Sequence, residues 1–152
     1  SGKKIDGDLY EWLKNKVGKG MTRARAKVAV LTSLYGNNTH REIEKIFEVK
    51  AWVSKLQDEI EDGVLLNYFG RPIQVGETKG NKILALWLQS SAVDAALLGF
   101  LNFFECNPGF VPHWVIHDAC IFSGKGDLPH ELKITEDIYL PIVCTGVSNE
   151  TN

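Results

Sequence analysis

Apolar residues recur through the first sixty positions with a helical period. Leu9, Trp12 and Leu13 fall on one side of a segment from Asp8 to Lys16, which is the spacing of a helix face. Gly18-Lys19-Gly20 interrupts it. The stretch TRARAKVAVLTSLYG, Thr22 to Gly36, resumes the period and closes on Gly36, a residue type that suits the position just past a helix end. Asn37, Asn38 and Thr39 read as a turn. Thr39 is placed to N-cap a helix from Arg41 to Phe47, with Glu42 at the capping-box position. A further helix is expected from Val49 to Glu61, with Trp52, Leu56 and Ile60 at i, i+4 and i+8 and Gly63 as its stop.

From residue 64 the pattern becomes mixed. Val64 to Tyr68 reads as a strand, Phe69-Gly70-Arg71-Pro72 as a turn, and Ile73 to Val75 as the returning strand. Glu77 to Asn81 is a polar loop. Lys82 to Phe104 predicts one long helix that is apolar on most sides. Gln89, Ser90, Ser91, Asp94 and Asn102 lie within it, so a buried central helix is expected rather than a membrane span. Asn107-Pro108-Gly109 is a strong break. His113 to Phe122 reads as a β-hairpin, with WVI before a His-Asp turn and ACIF after it. A last strand is expected over Tyr139 to Thr145. The fold class is α+β. No repeat, low-complexity segment or second domain boundary is visible, and 152 residues suffice for a single domain with its own core.

Composition narrows the field slightly. The net charge is −2, so the chain as a whole is no obvious polyanion binder. The charge is uneven, however. Residues 1 to 27 hold eight Lys and Arg against three acids. A basic N-terminal stretch on an acidic remainder points to a local anion site. Three cysteines, Cys106, Cys120 and Cys144, form no CxxC pair, which suits a reducing compartment. The N-terminal residues lack the apolar segment of a signal peptide.

Two constellations carry candidate chemistry. Arg23 and Lys27 lie one helical turn apart. They suit a clamp on phosphate oxygens, Arg through planar paired bonds and Lys as a point charge. The same pair suits a solvated basic turn. Leu31 and Tyr35 continue their four-residue spacing, whereas Arg25 falls on the other side. The second constellation is His117-Asp118. An Asp at a hairpin tip between apolar strands can present its carboxylate to Mg²⁺, a hard cation that takes oxygen ligands. It is also an ordinary residue for a turn. Two-metal chemistry needs at least two acids, and no partner acid for Asp118 stands out. His113, His117 and Cys120, with Cys106 or His130, leave zinc open, although the spacing matches no standard finger. Neither Gly18-Lys19-Gly20 nor Gly124-Lys125-Gly126 completes a Walker loop.

Taken in order, these motifs resemble the C-terminal polymerase portion of family A DNA polymerases. The fingers helix of that family runs Arg, Lys, an aromatic and Tyr-Gly at four-residue intervals. Here Arg23, Lys27, Leu31, Tyr35 and Gly36 stand in that register. A helix, a strand and a Phe-Gly-Arg turn follow, here AWVSKLQDEIEDGVLLNYFGRPIQV. A palm helix with Gln, small residues and Asp comes next, here LQSSAVD with Gln89 and Asp94. The last motif is the His-Asp hairpin, here IHDA. The resemblance covers nearly the whole chain, with residues 8–62 as fingers-like helices and 63–152 as the palm-like portion.

The resemblance implies a template-directed DNA polymerase fragment or subunit that transfers a nucleotide from a dNTP to a primer 3′ end. Arg23 and Lys27 would hold the triphosphate, Leu31 would lie against the base, and Tyr35 and Gly36 would border the insertion site. Arg71 and Gln89 would touch the primer–template DNA. His117 would sit by the primer end, and Asp118 would hold catalytic Mg²⁺, with Mn²⁺ as a substitute. Lys27, His117 and Asp118 would be the catalytic group. Phosphoryl transfer is largely positioning and charge neutralisation, which these residue types supply. The implied setting is the cytoplasm of a bacterial or phage-infected cell, at the nucleoid and away from membranes. Several departures stand out. Leu31 replaces an aromatic, Ala119 replaces the Glu after the Asp, and Ala85 stands where the palm helix often carries Asn. The family's first metal-binding Asp belongs to a strand upstream of GDLYEWL. That strand, the thumb and the exonuclease domain are not in this sequence, and Asp6 and Asp8 lack the Asp-Tyr-Ser context. The resemblance therefore implies either a piece cut from a longer chain or a split subunit whose second chain supplies the missing carboxylate. The alternative is a non-catalytic module that keeps nucleotide or nucleic-acid binding.

Overall fold

The computed structural model describes residues 7–18, 20–35 and 40–146. It is a mixed α+β chain of helices and small antiparallel sheets. Two compact units emerge, Ser1–Leu88 and Gln89–Asn152.

The first unit begins with α1 (Leu9–Val17) and α2 (Arg23–Tyr35). Asp8 caps α1, accepting bonds from the backbone N–H of Tyr10 and Glu11 at 2.8 and 2.9 Å. Helix α2 buries Ala26, Ala29, Val30 and Ser33, a stripe at i, i+3, i+4 and i+7. Helix α3 (Arg41–Phe47) has the expected bounds, but its N-cap is His40, whose Nδ1 accepts from the Glu42 N–H at 3.3 Å. Gly36, Asn37, Asn38 and Thr39 lie outside the described residues.

Helix α4 (Val49–Asp58) ends three residues before the expected Glu61. The Ile60 N–H turns back to the Gln57 carbonyl, and Glu61 and Val64 exchange backbone bonds of 3.0 and 2.8 Å. Asp62 and Gly63, at φ 49° and 76°, complete that reversal. Its buried residues are Val49, Val53 and Leu56. Trp52 instead stays 42% exposed.

Strands β1 (Val64–Leu66) and β2 (Pro72–Gln74) pair antiparallel, with Leu65 opposite Ile73. The first strand stops two residues short of Tyr68 because Asn67 bends the chain. Its buried side-chain oxygen accepts from the N–H groups of Phe69 and Arg71 at 3.0 and 2.9 Å. One core joins these elements through Leu13, Ala26, Ile43, Leu56, Leu65 and Ile83.

Helix α5 (Asn81–Cys106) passes from the first unit into the second. It is long and apolar enough to cross a membrane. The expectation of a buried central helix holds only in part. Ile83, Leu84, Ala85 and Ala96 are buried, but Val93, Leu97 and Leu101 form an exposed i, i+4, i+8 stripe.

In the second unit, β3 (Phe110–Ile116) and β4 (Ala119–Gly124) form the expected hairpin, with Ile116 opposite Ala119 and a register shift between Pro112 and Trp114. Strand β5 (Glu131–Lys133), absent from the sequence reading, pairs with β6 (Tyr139–Pro141). The last strand ends at Pro141 rather than Thr145. Gly99 of α5 lets β5 come close. A methyl group there would stand 2.7 Å from Ile134 Cδ1 and 2.9 Å from Leu132 Cβ. The Asn102 amide ties the same contact by donating to the carbonyls of Lys133 and Ile134 at 2.9 and 3.1 Å. Phe103, Phe104, Phe110 and Phe122 form a group of tilted and edge-to-face rings, with centroids 5.2 to 5.9 Å apart.

Candidate functional site

The inward stripe of α2 leaves a second stripe facing solvent. Arg23, Lys27, Leu31 and Tyr35 are all exposed, Leu31 by 39% and Tyr35 by 48%. The expected four-residue alignment is thus present on an open helix face. Arg23 is not a loose cation, however. Its Nη2 donates to Asp8 Oδ2 at 2.6 Å, and its guanidinium lies over the Tyr10 ring at 5.4 Å. The paired charges lower the Asp8 pKa below the ordinary carboxylate value, chiefly through the Arg23 hydrogen bond, and raise that of Arg23. Lys27, one turn on, is exposed, and no other described side chain pairs with it. Among the described residues, Lys27 is thus the cation of this stripe without an acidic partner.

Arg25 points elsewhere, as its position on the helix requires. It is more than a solvated charge, since Nη1 donates to the Gly20 carbonyl at 3.0 Å and braces the loop before α2. Asp8 and Tyr10 are the partners that the sequence reading missed. The available signal was an acid at an N-cap position followed by an aromatic. What it pairs with depends on how α1 packs against α2.

Arg71 is exposed in the β1–β2 turn, and Gln89 is exposed on α5. In the second unit, His117 and Asp118 occupy the two-residue tip between β3 and β4. His117 has φ 56°, in the left-handed region, where a non-glycine residue is strained by local sterics. Both side chains are exposed. Asp118 also lines an open cleft of about 830 Å³ whose other walls include Phe100, Phe110, Phe122 and Ile142.

The apolar strands that flank this tip are themselves largely open to solvent. Trp114 is 70% exposed, and Val115, Ile116 and Ile121 are about half exposed. Among the described residues the ribbon has no third strand, so its tip depends mainly on the pairing of β3 with β4. Such ribbons are marginal without further packing.

Among the described residues, no three His, Cys, Asp or Glu side chains gather in a group that could hold a metal ion. Asp118 alone does not meet the six-oxygen demand of Mg²⁺. His113 Nε2 is 2.8 Å from Ser123 Oγ, and the Cys144 thiol donates to the Pro129 carbonyl at 3.5 Å. Burial pushes the Cys120 thiol pKa up. The described geometry offers an exposed cationic and aromatic helix face, and separately a carboxylate at a hairpin tip. No protein-family model, curated protein or solved structure matches this chain.

Proposed function

We propose that the chain is the fingers and part of the palm of a template-directed DNA polymerase, and that it is incomplete for catalysis by itself. The observation that carries the reading is the exposed alignment of Arg23, Lys27, Leu31 and Tyr35 on α2, opposite a buried small-residue stripe. Lys27 is the proposed main contact for the triphosphate of a deoxynucleoside triphosphate. Arg23 assists once it leaves Asp8. Leu31 gives the base an aliphatic surface, and Tyr35 an aromatic one. Arg71, Gln89 and His117 are the proposed contacts to primer–template DNA. Asp118 lacks companion ligands among the described residues. Mg²⁺ or Mn²⁺ binding is therefore proposed to require carboxylates from elsewhere, such as a second chain. Ala119, in place of a further acid, favours a second reading in which the chain binds nucleotide or DNA without turnover.

The test combines nucleotide binding with primer extension. Lys27→Ala is expected to weaken deoxynucleoside triphosphate binding about tenfold, the loss of one charge-assisted contact, while Arg25→Ala changes it little. Equal effects would mean diffuse charge and would remove the specific role of the stripe. Template-directed extension by the purified chain, with Mg²⁺ and then Mn²⁺, is expected to be absent. Extension that disappears in Asp118→Asn would refute incompleteness and identify this chain as a very small polymerase.

A further inference from the structure

We propose that Asp8 is an internal competitor for polyphosphate at α2, occupying the guanidinium of Arg23 until an anion displaces it. The carboxylate divides its work by oxygen. Oδ1 caps α1, accepting from the N–H groups of Tyr10 and Glu11, while Oδ2 alone takes the Arg23 hydrogen bond. Release of Arg23 thus leaves the cap in place. The cation also keeps a resting surface, because its stacking on Tyr10 is separate from the ion pair.

The pair is exposed, with side chains 50% and 39% accessible, and exposed ion pairs exchange partners at little cost. A polyphosphate brings more charge and more acceptor oxygens than one carboxylate, and it can engage Lys27 in the same event. Asp8 therefore weakens binding without blocking it, and it disfavours singly charged anions most. This inference rests on the reading of α2 as the triphosphate face.

Asp8→Asn provides the test. Asn keeps a side-chain carbonyl for the cap and turns its other group into a donor that repels the guanidinium. Binding of inorganic tripolyphosphate and of a deoxynucleoside triphosphate is measured by calorimetry on the whole chain. Asp8→Ser serves as a second cap-preserving variant, with helicity checked by circular dichroism. Both variants are expected to bind both probes roughly three- to tenfold more tightly than the parent. Adding Arg23→Ala to Asp8→Asn is expected to remove the gain. Unchanged or weaker binding in the Asp8 variants, with Lys27 dependence intact, overturns the competition and leaves the triphosphate reading standing. A gain with tripolyphosphate and no binding of the nucleotide supports the competition and overturns the nucleotide reading. No binding of either probe by any form overturns both.

Discussion

Asp8 and Arg23 make a junction whose strength depends on acid. In the folded chain the Asp8 carboxyl holds its proton less tightly than usual, chiefly because of the Arg23 hydrogen bond. Folding therefore favours the ionised form. The stability this provides is complete above the ordinary carboxylate value, near about pH 4, and is lost as pH falls through the lowered folded value. The parent chain is expected to melt above Asp8→Asn at neutral pH, with the difference shrinking below about pH 4. Thermal melts across the acid range check this. A difference that stays constant to the lowest pH would show that the ionised pair contributes nothing. Little of this was legible beforehand. The spacing of Arg23, Lys27, Leu31 and Tyr35 was plain from the helical period. The partner of Arg23 lies fifteen residues away at the N-cap of another helix, and no periodic pattern encodes that pairing.

At the scale of elements, the chain announced its long features and concealed its short ones. Helices α1, α2, α3 and α5 and the β3–β4 hairpin each carry a full period or a break that marks their ends. Strand β5 has only three residues, too few to show alternation. The apolar spacing of Ile60 predicts a longer α4, although its N–H belongs to a turn. Burial was the larger error. The apolar run of α5 predicts a buried helix, yet Val93, Leu97 and Leu101 of its later turns face solvent. Composition tells which residues favour burial, but not whether a second layer is there to cover them. The α5–β5 contact makes a sharper case. Ala at position 99 gains about 1 kcal/mol of helix propensity. Against that stands a Cβ only 2.9 Å from Leu132 Cβ, an atom fixed to the backbone. Overpacking of this kind costs about 1–3 kcal/mol. Gly99→Ala is therefore expected to lower stability by about 1 kcal/mol net, read by chemical denaturation. A variant as stable as the parent would show that β5 can move away freely.

For the molecule as a whole, the two units differ in how they satisfy their apolar side chains. The first gathers them from five helices and a hairpin into one cluster. The second relies on its Phe group and the α5–β5 contact, and it leaves Val93, Leu97, Leu101, Trp114 and Ile116 in water. The distribution of tryptophan follows the same division and has an optical consequence. Trp12 packs on Phe47, and Trp52 and Trp87 stand 6.0 Å apart, all in the first unit. Trp114, the one tryptophan of the second unit, is already 70% exposed. Its emission changes little between folded and unfolded chain. Intrinsic fluorescence is thus a private signal of the first unit, and Trp114→Phe is expected to leave the amplitude of its unfolding transition nearly intact. Loss of that amplitude would mean that Trp114 is sheltered in solution. Where fluorescence and far-ultraviolet circular dichroism trace different curves, the gap between them is the melting of the second unit, seen without any added label.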